Sequence, residues 1–247
     1  MPEVARISEV GGFRVEHHAV LDSTNRHLLD AARAGAPDRL VVVADHQTAG
    51  RGRLGRRWEA PPGSSLLVSV LLRDPPGAAP APAMMPVMTA ALALAHGVEA
   101  TAGFAPALKW PNDLVVADRK LAGLLAERDG DAVVVGAGCN VNWAELPPEL
   151  AETATACNLE AGRAVDRDAL LAAYLHALAD GLDAPGAVGR DYRARLATIG
   201  RRVRVERDPA RDLVGEAVAL DDDGALVVRA DDGVRHTVAV GDVVHLR

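Results

Sequence analysis

The feature that most constrains the fold is a close succession of short apolar segments between residues 107 and 142. Each segment is too short for a typical helix and is rich in β-branched or aliphatic residues, which is typical of strands. Polar turns at Pro111-Asn112-Asp113 and Asp118-Arg119 separate these apolar segments. The pattern predicts successive strands at Ala107–Trp110, Asp113–Ala117, Lys120–Glu127 and Ala132–Asn142.

Two further strands and four helices complete the first 199 residues. The strands are expected at Leu40–Ala44 and Ser65–Leu72, which are short aliphatic runs. Residues 22–35 have a capping Asp-Ser start followed by an apolar face of Leu28, Leu29 and Ala32, so they predict a helix. The other predicted helices are Met84–Val98, Arg167–Leu182 and Gly189–Leu196, with a Pro/Ala loop at Pro75–Pro82. The fold class predicted is therefore α+β, a mixed sheet flanked by helices.

The character of the sequence changes near Gly200. The last 48 residues contain five short alternating segments separated by Asp/Gly turns, which predicts a small β-barrel. No long linker precedes it, so it is expected to pack on the first domain. We assign residues 1–199 to one domain and 200–247 to the second.

Bulk properties exclude several classes of protein. The formal net charge is −7, which disfavours generic nucleic-acid binding. No apolar run approaches the roughly 18 residues of a membrane span, and the first ten residues do not form a signal peptide. A cytoplasmic protein is therefore expected. The two cysteines, Cys139 and Cys157, fit neither a disulfide framework nor a zinc-site spacing and are expected to be ordinary buried residues.

The basic residues are unevenly chosen. Of 27, only Lys109 and Lys120 are lysine and the rest are arginine. A coding bias that replaces lysine wherever the protein tolerates it would leave lysine only where a compact ammonium is needed. The alternative is that the two survive by chance.

A loop from Gly50 to Trp58 concentrates four arginines and three glycines. Glycine lets backbone amides approach a ligand, and the arginine fork suits phosphate and carboxylate, at roughly 1.5–3 kcal/mol per charged hydrogen bond. Three interpretations stay open on composition alone: a loop that orders over an anionic ligand, a solvated basic turn, or a nucleic-acid patch. The P-loop signature is absent, so any nucleotide is held differently.

Three other segments carry candidate residues. In the turn after Lys109, Asn112 could recognise an adenine edge and Asp113 could help to hold a metal, although a capped β-turn would use the same residues. Lys120 opens an apolar strand in which Gly123 indicates close approach of a ligand or backbone, unless the lysine simply faces water. In 136–142, small residues make room for a ligand, and Asn140 and Asn142 share one face.

Taken together, these segments resemble the biotin–protein ligase family. The motifs that carry the resemblance are DSTN at 22–25, QTAGRGRLGRRW at 47–58, KWPNDL at 109–114, RKLAGLLAE at 119–127 and GAGCNVN at 136–142. Their combination and order are specific, and they cover residues 20–145. The related lipoate–protein ligases share the fold but as a rule lack this arginine/glycine loop. The resemblance implies a class II synthetase-like ligase fold with a C-terminal SH3-like β domain.

The resemblance also implies a two-step reaction. Biotin and Mg²⁺-ATP give biotinyl-5′-adenylate, and a lysine of a biotin carboxyl carrier protein then attacks this mixed anhydride. No nucleic acid or membrane partner is expected, and the oligomeric state is expected to be a monomer or weak homodimer. Family members that repress transcription begin with a helix-turn-helix domain, whereas only about 20 residues precede the DSTN motif, so no operator binding is expected.

The matching positions assign roles to individual residues. The implied catalytic residues are Lys120, Arg53 and Arg51; the metal ligands are not assigned. Biotin would be bound by Ser23, Thr24, Asn25, Gln47, Arg51, Gly52, Arg53, Lys120 and Gly123. ATP would be bound by Arg53, Arg56, Trp58, Lys109, Asn112, Lys120, Asn140 and Arg247. Cys139 stands where relatives often have an aliphatic residue and is expected to line the pocket without changing the chemistry. A lipoate ligase and a non-enzymatic nucleic-acid binder are the competing hypotheses.

Overall fold

The structure is a computed structural model that describes residues 3–75, 77, 82, 84–206 and 212–246. The expected phosphate ligand Arg247 and part of the expected Pro/Ala loop lie outside these residues. No helix in the described ranges is both long and apolar enough to cross a membrane.

Eight strands form one large sheet in the order β1-β2-β3-β4-β8-β7-β6-β5. Strands β2 and β3 are parallel and the remaining neighbours are antiparallel, so the sheet is mixed as predicted. The strands are β1 (Arg6–Val10), β2 (Phe13–Leu21), β3 (Leu40–Gln47), β4 (Ser65–Arg73), β5 (Ala107–Lys109), β6 (Asp113–Val116), β7 (Arg119–Asp129) and β8 (Ala132–Asn140).

Helices cover both faces of this sheet. They are α1 (Thr24–Arg33), α2 (Met85–Ala102), α3 (Cys157–Ala161), α4 (Arg167–Asp183) and α5 (Pro185–Arg195). The sheet separates two hydrophobic clusters, because alternate side chains of each strand point to opposite faces. In β3, Val41 and Val43 pack with α2 and α4, whereas Val42 and Ala44 pack with α1 on the other face. Helix α2 is buried on nearly every side because α4 packs on its outer surface. The two helices can approach closely at Gly97, which has no side chain. A Cβ at this position would stand only 3.1 Å from the backbone nitrogen of Tyr174.

Helix α1 leaves part of its sheet face uncovered. It is only ten residues long and packs on β3, β4 and β8. Its buried side is made by Leu28, Leu29 and Ala32, as the sequence predicted. Strands β7 and β6 lie beyond β8 in the same sheet. The Gly50–Trp58 loop lies over β7 and the adjoining part of β8, where Gly123 and Gly138 face it.

The C-terminal residues form a separate five-stranded antiparallel sheet in the order β12-β11-β10-β9-β13. Its strands are β9 (Arg202–Glu206), β10 (Leu213–Leu220), β11 (Leu226–Ala230), β12 (Arg235–Val238) and β13 (Asp242–His245). It packs on the first domain as expected, with Trp110 donating to the carbonyl of Gly224 at 3.0 Å and Arg201 binding Asp118. The α+β fold class is confirmed, whereas the division at residue 200 stays a prediction.

Strands β1 and β2, helix α3 and a single 3₁₀ turn at Arg53–Gly55 have no counterpart among the elements predicted from the sequence. Strand β1 is largely exposed at the sheet edge and is defined by its pairing with β2, so its own residues carry little signal. In β2, buried Phe13 and Val15 alternate with polar neighbours, but Glu16-His17-His18 interrupts the alternation before the strand ends.

Candidate active site

A cavity of about 270 Å³ opens between the Gly50–Trp58 loop, the uncovered sheet face and the C-terminal sheet. Most residues that the sequence assigned to substrate binding line it: Thr24, Gln47, Arg51, Gly52, Arg53, Arg56, Trp58, Lys109, Asn112, Lys120 and Gly123. Asp242 and Val243 of β13 also line it, so the C-terminal sheet forms part of its wall. The fold therefore gathers segments that lie far apart in the chain around one cavity.

The start of α1 brings a polar network to one end of the cavity. Gln47 Oε1 accepts hydrogen bonds from the backbone nitrogen and the hydroxyl of Thr24, at 2.8 and 3.0 Å. The hydroxyl of Ser69 lies 2.7 Å from Thr24 Oγ1 and 2.6 Å from Asn25 Oδ1. Because Thr24, Asn25 and Ser69 are buried, these contacts hold Thr24 and Gln47 in one orientation.

Glu127 at the end of β7 links α1 to the arginine loop. One carboxylate oxygen accepts from Asn25 Nδ2 at 3.0 Å, and the other binds Arg51 Nη1 at 2.9 Å. Asn25 does not line the cavity but packs against Gly136, where a Cβ would overlap its amide oxygen. Asn25 therefore supports the site from behind.

Trp58 lies flat over a glycine floor made by β7 and β8. A Cβ on Gly138 would stand 2.5 Å from Cε2 of the indole, and one on Gly123 would stand 3.2 Å from Cζ3. A ligand or another backbone was expected to approach Gly123 closely, whereas the groups that approach it in this structure are the side chains of Trp58 and Lys120. The indole Nε1 is buried and has no hydrogen-bond partner among the described residues.

Lys120 stands beside this indole. Its Nζ lies 5.7 Å from the centre of the Trp58 ring and 2.7 Å from Asp113 Oδ1. The ammonium is therefore placed between an aromatic face and a carboxylate at the wall of the cavity. Asp113 is itself only 20% exposed, so this pair is partly shielded from water.

The loop arginines are paired with acidic groups. Arg56 Nη2 lies 2.7 Å from Asp242 Oδ2, and Arg53 Nη1 lies 3.7 Å from Asp242 Oδ1. Arg53 also donates to Asn112 Oδ1 and to the carbonyl of Gly241, each at 3.2 Å. Burial lowers the pKa of Arg53, while Asp242 and Asp113 act in the opposite direction. The loop is tied down by ion pairs and is not a free basic patch.

Asn112 is held by the sheet as well as by the loop. Its Nδ2 donates to the carbonyl of Leu124 at 2.6 Å, and the backbone nitrogen of Leu124 donates to the carbonyl of Asn112 at 2.9 Å. The preceding Trp110–Pro111 bond is cis. The Asn112 amide lines the cavity with both of its polar ends bonded to protein.

Several assigned residues lie elsewhere. Ser23 is the N-cap of α1, accepting from the backbone of Arg26, and does not line the cavity. Asn140 does not line it either: it is buried and donates to the carbonyl of Thr155 at 2.9 Å. Asn142, beyond the end of β8, is bonded to the backbone of Val165. Both asparagines stabilise loops.

Cys139 was expected to line the pocket, and that expectation is wrong. It is fully buried on the opposite side of β8 from Gly138, in the core that contains α2 and α4. Contact with Cys157 and burial raise its thiol pKa. Both cysteines are free and buried, as the sequence predicted.

Sequence reasoning missed Ser69, Glu127 and Asp242. Glu127 closes the RKLAGLLAE motif, but nothing in that motif indicates which groups its carboxylate contacts. A serine inside the apolar Ser65–Leu72 run was a weak signal for a buried hydrogen bond. Nothing in the local sequence around Asp242 indicates a contact with Arg53 and Arg56.

The chain is similar to known proteins over most of its length. The family model described as Biotin/lipoate A/B protein ligase family matches residues 18–142, and Biotin protein ligase C terminal domain matches residues 198–246. The biotin–[acetyl-CoA-carboxylase] ligase of Mycobacterium tuberculosis is 41% identical, covering 91% of this chain and 86% of the relative. That of Paracoccus denitrificans is 34% identical, with 90% and 96% coverage.

A solved structure has the same fold. It is biotin protein ligase from Aquifex aeolicus in complex with biotin and ATP, with a TM-score of 0.81, 25% identity, and coverage of 94% of this chain and 98% of that one. The chain belongs to the biotin/lipoate A/B protein ligase family. Because both relatives and the solved structure are biotin ligases, the protein is a biotin–protein ligase within that family.

Proposed function

We propose that the cavity is where this ligase activates biotin with ATP and from which it passes the biotinyl group to a lysine of a biotin carboxyl carrier domain. The observation that carries the proposal is the convergence of Thr24, Gln47, the loop arginines and Lys120 on one cavity. The ordered polar pair Thr24–Gln47 suits the neutral polar head of biotin. The cationic end suits a carboxylate and a triphosphate.

The chemistry of the first step is a problem of charge. A carboxylate must approach a triphosphate, and both are anions. Arg51, Arg53, Arg56 and Lys120 reduce this repulsion and stabilise the charge that develops at the α-phosphate, so we assign Lys120, Arg53 and Arg51 as the catalytic residues. Catalysis then consists of positioning and electrostatics, with no covalent enzyme intermediate.

In the free protein, ion pairs with carboxylates hold the cationic side chains of the cavity in position before the substrates bind. Arg51 is held by Glu127, Lys120 by Asp113, and Arg53 and Arg56 by Asp242. Each carboxylate stands in for an anion of the substrates, so binding exchanges one ionic partner for another. The exchange avoids leaving a partly buried charge unpaired, which would be costly.

Trp58 has a second role in this proposal. Its indole lies over the glycine floor at the cavity wall, with an unpaired buried Nε1. Closure of its loop over the adenylate would exclude the water that hydrolyses the anhydride. We keep Asn112, Lys109 and Arg247 as expected ATP ligands. Ser23, Asn25 and Asn140 become positioning residues.

Asp113 is the group that fits Mg²⁺. Magnesium in nucleotide sites is usually held by one or two carboxylates together with phosphates, and Asp113 lines the cavity next to Lys120. Bound there, the ion would neutralise charge on the triphosphate. The protein's own contribution is to orient the carboxylate through the sheet register of β6 and β7.

The ion pairs of the loop also bear on the class of partner that the protein can bind. Nucleic-acid binding is disfavoured because Arg51, Arg53, Arg56 and Arg57 all contact carboxylates within the protein. We propose that the protein acts in the cytoplasm as a monomer or weak homodimer. Its partner would be the carrier domain of an acyl-CoA carboxylase.

The test is a reconstituted reaction with ATP, Mg²⁺ and a carrier domain, in which biotin and lipoate are compared as acids. We expect pyrophosphate release and carrier labelling with biotin and neither with lipoate. A carrier variant whose acceptor lysine is replaced by arginine should permit pyrophosphate release without labelling. Equal turnover of both acids, or none with biotin, would contradict the proposal.

A further inference from the structure

Away from the cavity, three potential metal ligands converge between β2 and α1. Glu16 and His18 are two residues apart on β2 and pair with Val42 and Ala44 of β3, so their side chains share the sheet face on which α1 packs. His27 is in the first turn of α1. One ligand atom from each residue lies within 4.8 Å of the others, and the two imidazole rings are 5.0 Å apart. Within the described ranges this is the one such cluster of three.

His18 presents a free lone pair to this cluster. The residue is 2% exposed, and its Nδ1 lies 3.0 Å from the carbonyl oxygen of Glu3. Since a carbonyl only accepts, Nδ1 carries a proton, and in the neutral ring Nε2 then carries the lone pair. Nε2 is buried and has no partner among the described residues. A buried acceptor without a donor costs free energy, so the structure leaves a position that a ligand would stabilise.

The same arrangement is characteristic of metal-binding histidines. Such a histidine usually donates its other ring N–H to a carbonyl or carboxylate, which sets the tautomer and aims the free nitrogen at the ion. The Glu3 carbonyl acts in this way for His18. A buried histidine that was merely part of the core would be expected to have both nitrogens satisfied.

We propose that Glu16, His18 and His27 form a binding site for Zn²⁺. Two imidazole nitrogens and one carboxylate oxygen form a common zinc ligand set, with water at the fourth position. His27 borders an open cavity of about 320 Å³, which gives water access to that position. The Glu16 carboxylate is 16% exposed and contacts Arg14 at 3.3 Å, a partner that is more than half exposed and easily exchanged.

Small side-chain rotations complete the coordination shell. Tetrahedral ligands about 2 Å from zinc lie about 3.3 Å from one another, somewhat closer than the limit of 4.8 Å that the cluster now satisfies. His27 is half-buried on a helix surface and Glu16 is near the solvent edge, so both can rotate towards the fixed His18 nitrogen.

The position of the site indicates its role. His27 follows Thr24 and Asn25 by less than one turn of α1, and its backbone nitrogen bonds to the carbonyl of Ser23 at 3.0 Å. An ion bound to His18 and His27 would tie the start of α1 to β2. It would thereby stabilise the helix end that presents Thr24 to the substrate cavity, without itself touching the substrates.

The proposal is tested with the full chain after removal of metals by a chelator. Zn²⁺ is titrated calorimetrically in the absence of nucleotide, and Co²⁺ is added separately to record the visible absorption of a four-coordinate site. The variants are Glu16→Gln, His27→Gln and the double variant, which leave the buried His18 in place. His96→Gln replaces an exposed histidine on α2 and serves as the matched control. Circular dichroism checks that each variant is folded.

We expect one Zn²⁺ per chain, four-coordinate cobalt bands and a higher melting temperature with zinc. Each single variant should lose at least about tenfold in affinity, since even groups outside the coordination shell contribute that much. The His96→Gln variant should bind zinc like the unaltered protein. Absence of saturable binding, or equal affinity in the folded double variant, would overturn the assignment.

Discussion

Trp58 rests directly on the backbone of Gly138, at a distance that leaves no room for even a methyl group between them. A Cβ at position 138 would stand 2.5 Å from Cε2, 2.8 Å from Cδ2 and 2.8 Å from Nε1 of the indole. Such distances are far inside van der Waals contact, and the atoms belong to a rigid ring. The glycine therefore determines where the loop tryptophan can lie.

Gly138→Ala should displace Trp58 and lower the rate of biotin-dependent pyrophosphate release by at least about tenfold, equivalent to about 1.4 kcal/mol. The melting temperature should change little, because the loop can move away while the sheet persists. Gly186→Ala, at an open position in α5, is the matched control. A variant with full activity would show that Trp58 is not needed in this position.

Lys120→Arg should also reduce adenylate formation at least about tenfold. The ammonium is confined by Asp113 at 2.7 Å, by the Trp58 ring and by Gly123, so a broader planar guanidinium cannot occupy the same place. Steady-state pyrophosphate release with the adjacent Arg119→Lys as control measures the effect. Unchanged activity in the Lys120→Arg variant would show that the rarity of lysine in this chain does not mark a position where a compact ammonium is required.

Asp242→Asn should loosen the Gly50–Trp58 loop in the free protein. The carboxylate is 14% exposed and holds both Arg53 and Arg56, so its loss leaves two guanidinium groups without their ionic partner. Trypsin should cleave within residues 51–57 several-fold faster, and biotin with ATP should slow the cleavage. Asp231→Asn, which removes an exposed ion pair of the same sheet, should cleave at the original rate.

The stability of the protein should fall as the pH decreases below about 6.5. Burial, followed by repulsion from Lys109, lowers the pKa of His245 from its usual 6.5, despite the opposing contact with Asp118. A lowered pKa means that the unfolded chain binds more protons, so stability present above pH 6.5 is lost as the pH falls towards the folded-state pKa.

His245→Gln should therefore weaken this pH dependence. We expect the loss in melting temperature between pH 7.5 and 5.5 to be smaller in this variant than in the unaltered protein. Some dependence should remain, because burial also lowers the pKa of His17. Thermal unfolding in the presence of a chelator measures it, with exposed His96→Gln as control. An identical pH profile in the His245 variant would contradict the prediction.

The sequence by itself determined most secondary elements and the composition of the substrate loop. Elements such as β4, β8 and α1 follow from patterns within each segment, because apolar periodicity and helix capping act over a few residues. The family resemblance carried by the motifs likewise predicts Thr24, Gln47, Arg53 and Lys120 as substrate-binding residues, and all four line the cavity.

Only the tertiary structure decided which groups face one another. Glu127 meets Arg51, and Asp242 meets Arg53 and Arg56, because sheet register and domain packing bring distant segments together. The same packing turned Asn140 away from the cavity and placed His18 opposite His27. Contacts of this kind depend on the summed geometry of many elements. No local pattern encodes them, so the charge pairs and the candidate zinc site emerge only from the folded chain.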